Sequence, residues 1–240
     1  MKKIKLFAIF ALIICAFVLT GCYTETLDTS TEGTYDAGNI PGLGNTVGSL
    51  TGTPLRLPNG VELTGDITGG AASQDNYWNN NSSTNYYYGS GVGYVVLLIL
   101  MNNTNSVSVT VTFPAASIFV SESGNSQNGV LLKETVITIP AKSAFRLCLS
   151  LYCGNHNKSA ARSNDVYTLG VVSNANLLLN LCQLIKNKKI NIEKFSRTSS
   201  NDQNVYYNQA NNLQNILWQI TDGGGITANE IDYINTLPNN

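Results

Sequence analysis

The sequence predicts an α+β fold, an antiparallel β-sandwich followed by a helical C-terminal part. Two observations carry this. Between Tyr94 and Tyr152, short apolar or alternating runs are separated by turn residues, the pattern of strands in an all-β unit. Beyond Ser173 the apolar residues recur at steps of three and four, the period of an amphipathic helix.

Each element has its own signal. Tyr94–Met101 is a continuous apolar run ended by Asn102-Asn103. Val107, Val109, Val111 and Phe113 alternate with Ser108, Thr110 and Thr112, which marks a half-buried strand, and Pro114 stops it. Ser117–Ser121, Thr135–Ile139 and Phe145–Tyr152 read as further strands. Ser173 or Asn174 is placed to cap a helix whose apolar stripe is Leu178, Leu181, Cys182 and Ile185. Lys186, Lys188 and Lys189 suit the negative end of its dipole. A second helix is expected over Val205–Thr221, with Tyr206, Ala210, Leu213, Leu217 and Ile220 on one face and Gly223-Gly224-Gly225 as its stop. Thr227-Ala228-Asn229-Glu230 is a capping box for a short last helix closed by Pro238.

Upstream of the strands the composition changes. Lys2, Lys3 and Lys5 precede an apolar run from Leu6 to Leu19, which is shorter than the ~20 residues a membrane-spanning helix needs and suits a secretion signal. It ends Leu19-Thr20-Gly21-Cys22, which resembles the lipobox of bacterial lipoproteins. That resemblance implies cleavage before Cys22, acyl chains on Cys22, and a membrane partner reached through lipid alone. The expected organisation is then a signal peptide at 1–21, a flexible tether at 22–58 and a β-sandwich at 59–153. An Asn- and Tyr-rich loop at 71–90 lies within the sandwich, and a helical part at 154–240 packs on it. The tyrosines of the loop read either as ordinary loop composition or as an aromatic binding surface.

Charge narrows the function. Losing three lysines with the signal leaves 11 basic against 15 acidic side chains, about −4 net. With no basic patch, nucleic-acid binding lacks its main driving term. Few charges with many Asn, Ser, Thr, Gly and Tyr suit a secreted or surface-displayed protein.

Three cysteines remain in the mature chain, Cys148, Cys153 and Cys182. Cys148 and Cys153 are five apart, so one continuous strand turns them to opposite faces. One of them could pair with Cys182, leaving the other a thiol. Tyr152-Cys153 at the end of a strand, with Gln214 followed by Ile216, Leu217 and Trp218 on a later helix, resembles the thioester domains of bacterial surface adhesins. The similarity spans residues 145–222, with Leu213 where that family often has Thr and Ile216 where it has a small Ala. It implies that Cys153 supplies the thioester sulfur, that Gln214 supplies the acyl group, and that Tyr152 and Trp218 support them. It also implies covalent attachment to an amine or hydroxyl of a host molecule. Read from the residues alone, Cys153 is a buried or disulfide cysteine and Gln214 edges the core face of its helix.

Other chemistries find less support. His156 lies three residues from Cys153, but no third residue orients the pair as nucleophile and base. Cys148, Cys153 and His156 do not match a closed zinc pattern, and Asp222-Gly223-Gly224-Gly225 lacks the ligand spacing of a calcium loop, so no metal and no cofactor are expected. No pair of acids stands out as a glycosidase set. The expectation is a non-enzymatic, extracytoplasmic lipoprotein at the outer membrane or cell surface, with a binding or adhesion role toward a host or envelope surface molecule. The rival class is a structural or envelope-assembly lipoprotein without covalent chemistry.

Overall fold

The computed structural model describes residues 40–70, 73–79 and 84–240, so the lipobox, Cys22 and the first part of the expected tether lie outside the described residues. All described residues belong to one compact unit, Glu32–Asn240. Three short strands open it: β1 (Gly52–Pro54), β2 (Val61–Leu63) and β3 (Ile67–Gly69). A one-turn helix α1 (Gln74–Trp78) and β4 (Tyr86–Gly89) follow. Then come β5 (Val95–Asn103), β6 (Val109–Phe113), β7 (Ser117–Ser121), β8 (Gly129–Leu131) and β9 (Thr135–Ile139). The long β10 (Ala144–Cys153) and β11 (Val166–Ser173) complete the strands. Helices α2 (Asn176–Ile185), α3 (Ser200–Thr221) and α4 (Ala228–Thr236) end the chain.

The fold is α+β, but the strands do not form the two facing sheets of a sandwich. The ladder runs β5–β3–β11–β7–β8–β10 and returns to β5, because β10 pairs antiparallel with β5 over Ala144–Leu151. The sheet therefore closes into a barrel, which removes most exposed edges. β2 and β1 extend it on β5 and β11, and β4 adds a parallel pairing, on β10. β6 and β9 form a separate antiparallel ribbon. The reason for closure is visible in β5 and β10, whose burial is nearly continuous rather than alternating. A strand buried on both faces needs a layer on each side.

Side-chain alternation sorts those layers. Leu147, Leu149 and Leu151 of β10 meet Val95, Leu97 and Ile99 of β5 and Val111, Phe113, Ile137 and Ile139 of the ribbon in one apolar core. Tyr152 points the other way, joining Ile118 and Val130 beneath Leu178, Leu181, Leu213, Leu217 and Ile234 of the three helices. Cys148 faces a third cluster with Tyr77, Trp78, Tyr87 and Tyr206.

Several expectations are corrected. Residues 40–58, expected as tether, are packed: Leu43 is fully buried, Leu55 is buried and β1 pairs with β11. Apolar Ile40, Leu43 and Leu55 outweigh the glycines around them. The expected loop at 71–90 contains α1 and β4, and Tyr77, Trp78 and Tyr87 are core rather than binding surface, although Tyr86 is exposed and stacks on Phe145. β11 lies inside the part expected to be helical. The N-cap of α2 is Ala175, without a side-chain cap, because the Ser173 hydroxyl accepts from the Ala175 N–H instead. The capping box of α4 is present, and the Gly223 φ of 96° ends α3 at Asp222.

Leu147→Ala is expected to lower stability by about 2–5 kcal/mol, because it opens a cavity in the barrel core. Leu179→Ala, at a side chain 39% exposed, should cost at most about 0.5 kcal/mol. Urea unfolding of the two variants checks the contrast.

Candidate functional site

The site forms where the last residues of β10 meet the middle of α3. Ser199 caps α3, its hydroxyl accepting from the Asp202 N–H, and Asp202 adds negative charge in the first turn. The helix starts five residues before its apolar stripe because Ser200–Asn204 carries capping and polar residues only. Leu213 and Leu217 bury against Tyr152 and Val130, which sets the rotation of α3 over the barrel. Gln214 and Trp218 follow on the adjoining stripe, one turn apart. They are therefore aimed at the strand end.

Cys153 meets them there. The Gly154 N–H donates to the Asn128 carbonyl, so the chain beside Cys153 is tied to the segment entering β8. In an antiparallel ladder the next residue turns its polar groups the opposite way. The Cys153 N–H accordingly donates to Gln214 Oε1 at 2.8 Å, and Gln214 Nε2 donates to the Cys153 carbonyl at 2.9 Å. The carboxamide thus sits on the peptide groups of Cys153 like a short strand. Gln214 is 1% exposed and Cys153 fully buried. The Trp218 indole N–H donates to Cys153 Sγ at 3.2 Å.

This environment sets the thiol's protonation. Burial pushes the Cys153 thiol up to about 11, opposed by the Trp218 N–H and the Asn155 backbone and reinforced by the Asp222 carboxylate. The group is a neutral thiol near pH 7, unlike the low-pKa thiolate of a cysteine hydrolase. Burial likewise holds the Tyr152 hydroxyl neutral, far above its usual range, so its role here is to pack α3 against the strand.

The structure brings together Cys153, Gln214, Trp218 and Tyr152, and separates the other cysteines. Cys148, Cys153 and Cys182 are all free thiols; Cys148 lies under α1 and Cys182 among the helices. Ile216, which stands where the resembled family has a small Ala, packs into the helical core. Among the described residues, no three of His, Cys, Asp and Glu gather at one point, and no helix is long and apolar enough to cross a membrane.

Sequence reasoning missed the wall of the site. Residues 40–46 pass directly over it. The Gly44 N–H donates to the Gly154 carbonyl at 2.7 Å, and Leu43 packs on Gly154, where a Cβ would meet Leu43 Cδ2 at 2.8 Å. Gly44, at φ +56°, lies so close to α3 that a Cβ would stand 2.0 Å from the Thr221 carbonyl oxygen. Asn155, 2% exposed, ties the layers: Oδ1 accepts from the Asn128 N–H, and Nδ2 donates to the Gly42 and Gly44 carbonyls. The signal available was Ile40-Pro41-Gly42-Leu43-Gly44, turn residues around apolar ones inside a polar stretch. His156 was missed in another sense. Its ring lies 4.4 Å from that of Trp218, whose indole also stacks with Tyr94 at 5.8 Å.

In comparisons with protein families, curated proteins and solved structures, the chain matches none. The functional reading therefore rests on the residues and their geometry.

The raised thiol pKa predicts a pH profile. In Gln214→Ala, which leaves a thiol at Cys153, alkylation of Cys153 should rise about tenfold per pH unit from pH 7 and level off near 11. Mass analysis of the Cys153 peptide reads this rate. A profile already flat between pH 7 and 9 would contradict the burial argument.

Proposed function

We propose that the domain is carried at the outer membrane or cell surface by lipid on Cys22 and attaches to a surface molecule through an internal thioester between Cys153 and Gln214. One observation carries the covalent part: the Gln214 carboxamide is docked by both its ends on the backbone of Cys153, with a donor already on the sulfur. That arrangement suits acyl transfer. The Cys153 N–H polarises the amide carbonyl and is placed for the oxyanion that forms when sulfur attacks Gln214 Cδ. The C–S bond forms, the C–N bond breaks, and the thiol proton leaves with the amide nitrogen as ammonia. The product is an electrophile shielded by Trp218, Leu43 and the strap at residues 40–46. A nucleophile from a target molecule then takes the acyl group and returns Cys153 to a thiol. The event occurs once per molecule, so the role is attachment rather than turnover.

A second reading has its own support. Both polar atoms of the Gln214 amide have a hydrogen-bond partner as it stands, which is also what a structural clamp between helix and strand requires. In that case the protein is an envelope-assembly lipoprotein without covalent chemistry.

Mass separates the two. The domain lacking residues 1–22, and so without lipid, should weigh ~17 Da less than its sequence, the ammonia lost on closure, while its Cys153→Ala and Gln214→Ala forms should show no deficit. Methylamine should convert the light form to one ~31 Da heavier as it opens the bond. That lipid-free domain at its plain sequence mass would leave the clamp as the function of the pair.

A further inference from the structure

His156 is the one histidine of the chain, and the structure sets it against the candidate thioester. The same indole that gives its N–H to Cys153 Sγ has the imidazole 4.4 Å away, centroid to centroid. The imidazole side chain is 54% exposed, so it rests on Trp218 on one side and is open to whatever approaches from solvent on the other. Asp222 Oδ2 lies 3.7 Å from His156 Nδ1. Among the described residues this is the one acid–base contact within 4 Å, in a chain with only 12% charged residues, and it is an ion pair only when the imidazole is protonated. The distance is long for a hydrogen bond but sets a carboxylate beside the ring nitrogen. Asp222 is four residues beyond Trp218 and caps α3, so the helix that delivers Gln214 also fixes this carboxylate.

We propose that His156 is the general base that makes this site an acyl donor to hydroxyl groups, of the kind a carbohydrate or other polyol presents; the proposal rests on the Cys153–Gln214 thioester reading. The chemistry distinguishes acceptors. An amine in its unprotonated form attacks a thioester without help, whereas an alcohol is too weak a nucleophile unless its proton is taken as the bond forms. Here the hydroxyl oxygen attacks the Gln214 acyl carbon and its proton passes to His156. The C–S bond breaks, and the imidazolium returns that proton to Cys153 Sγ, whose leaving is eased by the Trp218 N–H. The net change is one ester formed and one thiol regenerated. Asp222 acts on the acceptor only through His156 and is a positioning residue.

The surroundings fit such an acceptor. Tyr94, 40% exposed, and the half-buried Trp218 offer stacked aromatic rings to the apolar face of a sugar. Asn157 and Asn45, both exposed, are hydrogen-bonded to each other at 2.6 Å beside His156 and add neutral amides to the rim. Neutral donors and acceptors next to aromatic faces suit hydroxyl-rich ligands better than charged ones.

The test compares two probes on the mature protein purified in detergent, with adducts read as mass on the Gln214 peptide. Wild type should form an ester with glycerol, a gain of ~92 Da relative to the thioester, and an amide with methylamine, a gain of ~31 Da. His156→Phe keeps a ring against Trp218; it should form the glycerol ester about a hundredfold more slowly while methylamine reacts much as before. His156→Gln should behave in the same way, which separates loss of the base from loss of packing. Asp222→Asn should slow the glycerol reaction by less than either and spare methylamine. Equal glycerol rates in wild type and both His156 variants would overturn the proposal, as would a wild type that takes methylamine but never glycerol. If untreated protein lacks the ~17 Da deficit and takes neither probe, the thioester reading itself has failed and this proposal falls with it.

Discussion

A glutamine side chain buried at the junction of a helix and a strand must have both its amide groups paired, or it costs more than an apolar residue in the same place. In this protein the requirement is met by a single partner, the backbone of Cys153. The rest of the site is organised around that contact. For the backbone groups to be available, Cys153 must sit where β10 has run past β5 and where Gly154 alone is tied to the Asn128 carbonyl. For the amide to arrive, α3 must hold one rotation over the barrel, which Leu213, Leu217 and Tyr152 impose. For water to stay out, residues 40–46 must close over the junction, and their approach is so tight that Gly44 and Gly154 have no room for a Cβ.

Dryness and reactivity are linked here. The burial that satisfies Gln214 also keeps the Cys153 thiol neutral, which makes it inert as a free nucleophile in solution. The same junction holds the Gln214 carbonyl on the Cys153 N–H. The exposed side of the same junction is different. Tyr94, Trp218, His156 and Asp222 form a layer one indole thick between the sulfur and solvent.

Much of this was legible in the sequence. Period-two alternation located β6, and helical spacing located α3, because in each case one face is buried and the other is not. The Thr227–Glu230 capping box is a local interaction and was readable as such. Tyr152, Cys153, Gln214 and Trp218 were legible as a set only through the resemblance to adhesin thioester domains; periodicity by itself placed them no further than a strand end and a helix face. What escaped depends on contacts far apart in the chain. Closure into a barrel is decided by β10 pairing with β5 across more than forty residues, and alternation within a strand does not say whether its sheet closes. Residues 40–46 read as tether because Gly, Pro and Asn signal turns, whether the turn is solvated or packed. The Trp218–His156 contact joins α3 to a loop, where no periodicity applies.

The most direct test of the account is an atomic-resolution electron-density map of the mature domain at the Cys153–Gln214 junction. The account predicts continuous density between Cys153 Sγ and Gln214 Cδ at covalent bonding distance, with no density for Nε2. A complete amide whose Cδ stands at van der Waals separation from sulfur, about 3.5 Å or more, would contradict it.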